Sequence, residues 1–256
     1  MSIIINADDF GLSEQGDNTI IMLHELGVVS STTLMANGED FSRAVDLSKE
    51  YKRLGIGVHL CLDGPFNIGK EFCSILDRNT NQFYNLDKIL KKLKTFSVDK
   101  SDIYKEYCLQ IEKVLDHNIH ISHLDHHHNL HKYLPALNSM IKAAKKYKIH
   151  YIRPQKMLLH KDRNFLKYVY RDIHHLYLKN RLNTVDTYFN PEITDNLHYE
   201  LHFTRLTEVL KFKNRIIEIM LHPIDINVPE TTFYSSKLVL NLLSNQTIIN
   251  YNDLKV

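Results

Sequence analysis

A histidine-rich block at residues 123–131 carries the strongest chemical signal in the sequence. It reads His-Leu-Asp-His-His-His-Asn-Leu-His, so five imidazoles and one carboxylate fall within nine residues. Clustered histidines are costly, because protonated rings repel one another and neutral rings need hydrogen-bond partners. The cluster favours a metal site in which some rings bind the ion and others support them, since one ion cannot take all five. The alternative is a surface histidine tract with no defined role.

Two further positions offer metal ligands. Asp8 and Asp9 follow the apolar run at residues 3–5. Successive side chains of a strand alternate in direction, but where a strand turns into a loop both carboxylates can reach one pocket. One could then bind a metal while the other takes a proton; a turn or helix-cap pair is the alternative. His59 interrupts a stretch that is typical of a buried strand, so it is either a satisfied core residue or a third ligand.

Arg153 and His222 also stand at the ends of predicted strands. A buried Arg153 beside a carboxylate would fix that group and keep it ionised, whereas an exposed arginine at a strand end is the alternative. His222 is followed by Pro223, and a histidine so placed could protonate a leaving group. The sequence has no nucleophile elbow, P-loop or dinucleotide fingerprint, which excludes serine hydrolases, P-loop NTPases and dehydrogenases of that type.

The elements that must hold these residues alternate between strands and helices. Apolar or β-branched runs predict strands, and apolar residues at helical spacing between Ser13 and Gly27 predict a capped first helix. The predicted strands are residues 3–5, 28–35, 55–62, 119–124, 150–153, 216–221 and 247–251. The predicted helices are the first one, one through Ala44 and Leu47, residues 103–115, 134–146 and 165–178, and one after residue 221. Residues 63–97 have turn residues and a weak pattern, so we expect an insertion or lid there.

This alternation indicates parallel strands joined by helical crossovers, in either an open doubly wound sheet or a (β/α) barrel. The polar residues favour the barrel, because they fall at strand ends, and in a barrel those ends meet on the face that carries the chemistry. No repeat or linker divides the chain. We therefore expect one catalytic domain over residues 1–256, of the α/β barrel class.

Composition narrows the class of protein. Hydrophobic residues make up 43% of the 256 residues and charged residues 24%, which is ordinary globular usage. A formal charge of +2 gives no support for binding to nucleic acid or a membrane surface. Residues 1–10 lack the basic and long apolar regions of a signal peptide. Three cysteines without CxxC spacing, Cys61, Cys73 and Cys108, indicate reduced thiols, so we expect a cytoplasmic protein.

Five sequence blocks together resemble the YdjC-like carbohydrate deacetylases, of which chitooligosaccharide deacetylase is the best-defined type. In order, the blocks are Asn6-Ala7-Asp8-Asp9-Phe10-Gly11, Ser31-Thr32-Thr33 with Asn37, Gly57-Val58-His59, His123-Leu124-Asp125-x-His127-His128 and Leu221-His222-Pro223. They span residues 6–223, nearly the whole chain. The chain departs from the family pattern at His126, where a small residue is usual, and at Asn129, where a histidine is usual.

The resemblance implies a deformed (β/α) barrel that removes acetyl groups from N-acetylated sugars with the help of a divalent metal ion, commonly Mg²⁺. It places the metal on Asp9, His59 and His127. By similarity to the wider polysaccharide deacetylase group, Asp8 would be the general base, with Arg153 as its orienting partner. His222 would be the general acid. A homodimer is also implied.

Two alternatives and one ambiguity follow from the same residues. Another metal-dependent barrel amidohydrolase or phosphoesterase would use similar ligands on a different bond, and a non-catalytic relative would only bind metal or sugar. Two histidines and one carboxylate suit Zn²⁺, Co²⁺ or Mn²⁺, whereas Mg²⁺ prefers oxygen ligands. The resemblance favours Mg²⁺, and the donor types favour the other three.

Overall fold

The structure is a computed structural model that describes residues 2–158, 165–195, 197–212 and 214–255. Within these ranges the strands are β1 Ser2–Phe10, β2 Ser31–Leu34, β3 Gly55–Leu60, β4 His123–His126, β5 Tyr151–Ile152, β6 Thr187–Phe189 and β7 Ile216–Leu221. The helices are α1 Glu14–Glu25, α2 Phe41–Glu50, α3 Leu86–Lys94, α4 Lys100–Leu115, α5 Leu134–Lys146, α6 Phe165–Lys179, α7 Tyr199–Val209, α8 Pro229–Tyr234 and α9 Lys237–Leu243.

The strands of the described residues form one parallel sheet in the order β5-β4-β3-β2-β1-β7-β6. The sheet curls, and isolated bridges join its two edges, from Tyr151 to Asn183 and from Met157 to Tyr188. Tyr188 N donates to the carbonyl of Lys156 at 2.9 Å across this seam. The fold is therefore an α/β barrel, deformed because β5 is only two residues long and bridges replace a full ladder. This confirms the predicted fold class.

β1 lies near the centre of the sheet, between β2 and β7, and its ladder with β7 runs from Ser2–Ile216 to Ala7–Leu221. The run at residues 3–5 is fully buried. A parallel strand covered on both faces needs such a continuous apolar run. The first strand was predicted from this run, and the structure extends it through both aspartates to residue 10.

Several helices lie where the capping residues and apolar spacing of the sequence predict them. Ser13 caps α1, with its Oγ accepting from Gly16 N at 3.2 Å, and Gly27 follows the helix with a φ of +76°. A positive φ is accessible to glycine without steric cost, so the chain turns there. The helix predicted at residues 134–146 has those same bounds in the structure.

Other predicted elements were wrong or missing. Residues 247–251 do not form a strand; Ile248 makes one isolated bridge to Ile3, and a 3-10 helix, Tyr251–Asp253, follows. A capping box explains the turn, because the Asn250 side chain accepts from Asn252 N while Asp253 accepts from Asn250 N. The strand predicted at residues 119–124 lies later in the chain, as β4. The pattern did not predict β6 or α7.

Residues 63–97, the predicted insertion, contain an antiparallel bridge between Leu76 and Phe83 and the helix α3. Glu106, buried on α4, accepts from the backbone N–H groups of Ile68 and Gly69 at 2.8 Å each. The insertion is therefore tied to the barrel by polar contacts. No helix in the described part of the chain is long and apolar enough to cross a membrane.

Candidate active site

The adjacent aspartates diverge at a break in β1. Asp9 has a φ of +65°, and the register with β2 shifts between Ala7 and Phe10. Asp is among the residues that tolerate this left-handed conformation, in which the alternation of a regular strand is lost. Asp8 is buried at 3% exposure, whereas Asp9 is partly exposed. The two carboxylates consequently reach the same end of the barrel but contact different partners.

Asp9 meets the two histidines that were predicted as its fellow metal ligands. Its Oδ1 lies 3.2 Å from His59 Nε2 and 3.0 Å from His127 Nδ1. One ligand atom from each of the three residues lies within 4.8 Å of the others, so the set could hold a metal ion. We call Asp9, His59 and His127 the inner group. Its one carboxylate and two imidazoles are ligand types that divalent ions accept in proteins.

Asp125 fixes the orientation of His59 from behind. Its Oδ1 accepts from His59 Nδ1 at 2.6 Å, and its Oδ2 accepts from Thr33 Oγ1 at 2.9 Å. A carboxylate on one imidazole nitrogen turns the other nitrogen towards the metal position. Burial opposes a positive charge on His59, but the charge and hydrogen bond of Asp125, with Asp9 and Asp8, raise its pKa well above the ordinary value. Surroundings that attract a proton to His59 so strongly also favour a cation.

Arg153 is fully buried and binds three carboxylates. It holds Asp8 through two bonds, from Nη2 to Oδ1 at 2.6 Å and from Nη1 to Oδ2 at 2.7 Å. Its Nε donates to Glu218 at 2.7 Å, and Nη2 lies 2.8 Å from Asp125. Tyr251, in the 3-10 helix, donates to the other oxygen of Glu218 at 2.6 Å. Burial would raise the pKa of Asp8, but the Arg153 charge and hydrogen bonds lower it to about 2.

Carboxylates outnumber the one permanently charged cation of this site, Arg153. Its guanidinium contacts Asp8, Asp125 and Glu218, while the fourth carboxylate, Asp9, contacts His59 and His127, which are charged only when protonated. Buried charges need compensation by opposite charge. The excess of negative charge, together with the donor types of the inner group, fits a divalent metal ion.

His222 follows β7 and faces the same end of the barrel. Its Nε2 lies 3.7 Å from Asp8 Oδ2, and 44% of its side chain is exposed. Its backbone N–H donates to Glu230, a buried residue of α8. Burial raises the pKa of Glu230 to about 7, although His222 acts in the opposite direction. The structure thus brings together all six residues that were predicted for the site, while their roles stay predictions.

Four of these six residues line a cavity of about 450 Å³, whereas His59 and Arg153 do not. It is lined by Asp8, Asp9, Leu86, Leu90, His127, His128, Asn129, Leu130, Lys132, Asn190, Met220 and His222. Leu86 and Leu90 belong to α3, so the insertion forms one wall of the cavity. A larger concavity of about 710 Å³ lies before β2, at the opposite end of the strands, and contains none of the inner-group residues.

The five histidines of the block have separate surroundings. His123 stacks on Tyr251 with ring centres 3.7 Å apart, and His131 is buried against Gln155. His126 is buried with Nδ1 2.6 Å from the carbonyl of His127. Only His127 and His128 of the five line the cavity. The block therefore combines packing and site residues, as expected from its crowding.

Sequence reasoning missed Glu218, Glu230 and the pairing of His128 with Asp63 at 3.3 Å. Glu218 left a detectable signal, because it is the one charged residue in the apolar strand at 216–221. A charged residue in a buried strand needs a partner of opposite charge, and Arg153 was already predicted to be a residue of the site. Glu230 and Asp63 stand in polar surroundings of the sequence and gave no such signal.

Comparison with known proteins places this site in context. The family model described as YdjC-like protein matches residues 2–244. A carbohydrate deacetylase from Clostridium beijerinckii is 36% identical over 149 residues, and one from Listeria monocytogenes serotype 4b is 39% identical over 150 residues. The first alignment covers 58% of both chains, and the second covers 57% of this chain and 58% of that relative. The matched part thus spans under two thirds of these curated relatives.

Two solved structures share the fold over nearly their full lengths. A candidate cellobiose-phosphate cleavage protein from Enterococcus faecalis V583 superposes with a TM-score of 0.80 at 25% identity, covering 100% of this chain and 99% of that one. A lactam utilization protein from Thermus thermophilus has a TM-score of 0.57 at 17% identity, covering 98% and 99%. The second likeness concerns the fold alone.

Proposed function

The chain belongs to the YdjC-like protein family. We therefore propose that it is a metal-dependent hydrolase. It removes acetyl groups from N-acetylated sugars or oligosaccharides, such as chitooligosaccharides, and releases acetate. The names of the curated relatives support deacetylation of a carbohydrate. The observation that carries the proposal is that the inner group, Asp8, Arg153 and His222 form one cluster, part of which lines the cavity.

Asp9, His59 and His127 would hold the metal ion in this proposal. A divalent ion bound there supplies a Lewis acid that polarises the acetamide carbonyl and lowers the pKa of water. Mg²⁺ follows the family resemblance, whereas the two imidazoles suit Zn²⁺, Co²⁺ or Mn²⁺. Comparing acetate release after loading with each ion would decide between them.

Asp8 is the proposed general base. Its low pKa keeps the carboxylate ionised across the physiological range, so it is always available to accept a proton from the attacking water. Arg153 holds both of its oxygens, which fixes the direction in which the carboxylate faces. A low pKa also makes Asp8 a weak base, so proton transfer to it requires an acidified water.

His222 is the proposed general acid. Its ring lies near Asp8 yet is exposed enough to reach a bound substrate. Protonation of the departing amine by His222 would break the C–N bond of the tetrahedral intermediate and leave a free amino sugar. Glu230 holds the backbone of His222 in place through the bond to its N–H.

The surroundings of Lys132 favour a sugar substrate that carries an anionic substituent. It is half-buried at the cavity wall, and burial together with the nearby charges of Lys94 and Arg171 lowers its pKa. Among the described residues no carboxylate forms an ion pair with Lys132. A phosphate would satisfy such a cation, and the Enterococcus relative is named for a phosphorylated disaccharide. Faster acetate release from a phosphorylated N-acetylated disaccharide than from the neutral one would support this substrate class.

The replacement Asp8→Asn tests the catalytic assignment. We expect acetate release to fall by about 10²–10⁴-fold, the usual contribution of a general base. Metal binding should remain, because Asp8 is not in the inner group, and calorimetry with Mn²⁺ would check this. A D8N enzyme with full turnover and normal metal binding would end the assignment.

Two controls separate the proposal from its alternatives. Phosphate release from sugar phosphates, without acetate release from N-acetylated sugars, would indicate a phosphoesterase instead. Metal-dependent acetate release that is lost in His127→Ala would exclude a protein that only binds metal or sugar. The homodimer implied by the family stays a prediction, which light scattering in solution would check.

A further inference from the structure

A second set of metal-ligand side chains lies beside the inner group. Asp63 begins the insertion after β3, and His127 and His128 follow β4, which is the neighbouring strand. His128 Nε2 lies 3.3 Å from Asp63 Oδ2. One ligand atom from each of the three residues lies within 4.8 Å of the others, as in the inner group. We call Asp63, His127 and His128 the outer group.

The backbone turns after β4 so that the side chains of His127 and His128 lie close together. His128 and Asn129 have φ values of 55° and 53°, which non-glycine residues adopt at a cost. The rings of His127 and His128 lie 4.0 Å apart between centres instead of pointing to opposite sides. This strained turn costs free energy, which another interaction must offset. The single ion pair between Asp63 and His128 offsets little of that cost.

His128 is the most exposed side chain of the two groups, at 43%, whereas that of His59 is 2% exposed. Asp63 is itself buried at 7% exposure, so its carboxylate is held in place and is not a freely moving surface charge. A cation arriving from solvent can therefore reach the outer group through His128.

We propose that Asp63, His127 and His128 form an outer site for a divalent transition-metal cation, which shares His127 with the inner group. The donor set of one carboxylate and two imidazoles selects ions of the Zn²⁺, Co²⁺ or Mn²⁺ kind over Mg²⁺. A neutral imidazole offers one ring nitrogen to a cation, so His127 binds at either the outer or the inner position at a given time.

The test isolates the outer group by disabling the inner one. Asp9→Asn removes the carboxylate of the inner group, and asparagine tolerates the positive φ at that position. Co²⁺ alone would be titrated into the D9N protein by calorimetry and visible absorption. We expect one Co²⁺ to bind, and we expect D9N/H128Q and D9N/D63N to bind it at least about tenfold more weakly.

A matched control exists on the surface. His198 Nδ1 lies 3.0 Å from Asp195 Oδ1, and this exposed pair does not belong to any three-residue metal group of the described residues. D9N/H198Q should therefore bind Co²⁺ as D9N does. Thermal melts would confirm that each variant is folded before titration.

Two results would overturn the outer site. One is a folded D9N protein that binds no Co²⁺. The other is Co²⁺ binding in D9N that neither H128Q nor D63N weakens, which would leave the Asp63–His128 pair as an anchor of the insertion only. None of these measurements uses turnover, so the outer site and the proposed deacetylase activity stand or fall separately.

Discussion

Asp125 connects the two halves of the site through its two oxygens. Oδ1 accepts from His59 of the inner group, while Oδ2 contacts Arg153, the partner of the proposed base, and accepts from Thr33. One buried carboxylate therefore positions both a metal ligand and the residue that holds Asp8. A change there should alter metal affinity without removing any ligand.

We predict that Asp125→Asn lowers the affinity for Mn²⁺ by about 10–100-fold, the usual effect of losing the carboxylate behind a ligating histidine. An amide accepts through one atom only and is neutral, so it cannot hold His59 and Arg153 together as a carboxylate does. Calorimetric titration of the metal would measure the change. Thr33→Ser is the control, because it keeps the hydroxyl that donates to Asp125. Equal affinities of D125N and T33S would contradict this role.

Residue types and their positions at strand ends sufficed to pick out the six candidate residues, while the family resemblance supplied their predicted roles. The separation of Asp8 from Asp9 could be expected at a turn, but the φ of +65° that produces it depends on contacts with β2. Glu230 could not be predicted, because it reaches His222 through a backbone N–H, and such a bond leaves no trace in residue types.

At the scale of elements, a buried carboxylate helps to hold the insertion at residues 63–97, whose apolar residues also pack in the main core. Glu106 accepts from two backbone N–H groups of the insertion and from Gln110 on its own helix. Burial raises the pKa of Glu106, and the three donors favour the ionised form. Since α3 forms a wall of the cavity, loosening the insertion should affect substrate binding before it affects chemistry.

We predict that Glu106→Gln speeds hydrogen exchange at the amides of Ile68 and Gly69 and raises KM more than it lowers kcat. Glutamine has only one acceptor oxygen, so one buried N–H loses its partner at a cost of about 1–3 kcal/mol. Exchange monitored by mass spectrometry and steady-state kinetics would show both effects. Glu112→Gln on the same helix is the control, because the Glu112 side chain binds Lys146 and Tyr147 and contacts no backbone N–H of the insertion among the described residues. A drop in kcat with unchanged KM would argue against a lid.

Prediction of elements succeeded where local signals agreed and failed where they were short. α5 has the predicted bounds, because apolar spacing, a proline in its first turn and terminal lysines all point the same way. β6, Thr187–Phe189, has three residues, too few to show a period. At residues 247–251 the β-branched pattern predicted a strand, but the capping box at Asn250 prevailed.

Across the whole molecule, several histidines are buried without charge. Burial lowers the pKa of His126 to about 3 and that of His174 to about 4, and it lowers the pKa of His131 well below its ordinary value. In the unfolded chain these rings titrate near 6.5. These three histidines therefore bind more protons in the unfolded chain than in the folded one between these values, so their contribution to stability is lost as the pH falls.

We predict that the contribution of His174 to the free energy of unfolding falls by about 2 kcal/mol as the pH drops from well above 6.5 to 5. Above pH 6.5 both states leave His174 neutral, so it makes no contribution there. Urea unfolding of the wild type and His174→Gln at pH 7.5 and 5.0 would measure this contribution. Between these pH values the free energy of unfolding of the variant should rise by about 2 kcal/mol relative to that of the wild type. His150→Gln, at an exposed position, should show no such shift.

The central place of β1 has a consequence for biosynthesis. β1 leaves the ribosome long before its partner β7, which begins only at Ile216, and Tyr251 comes later still. At about 5–20 residues per second, roughly 10–40 s of translation separate the two strands. Throughout that interval the apolar edge of residues 3–5 has no neighbour on one side. The nascent chain thus has a waiting period during which chaperone capture competes with aggregation, and the active site can assemble only after β7 and His222 have been synthesised.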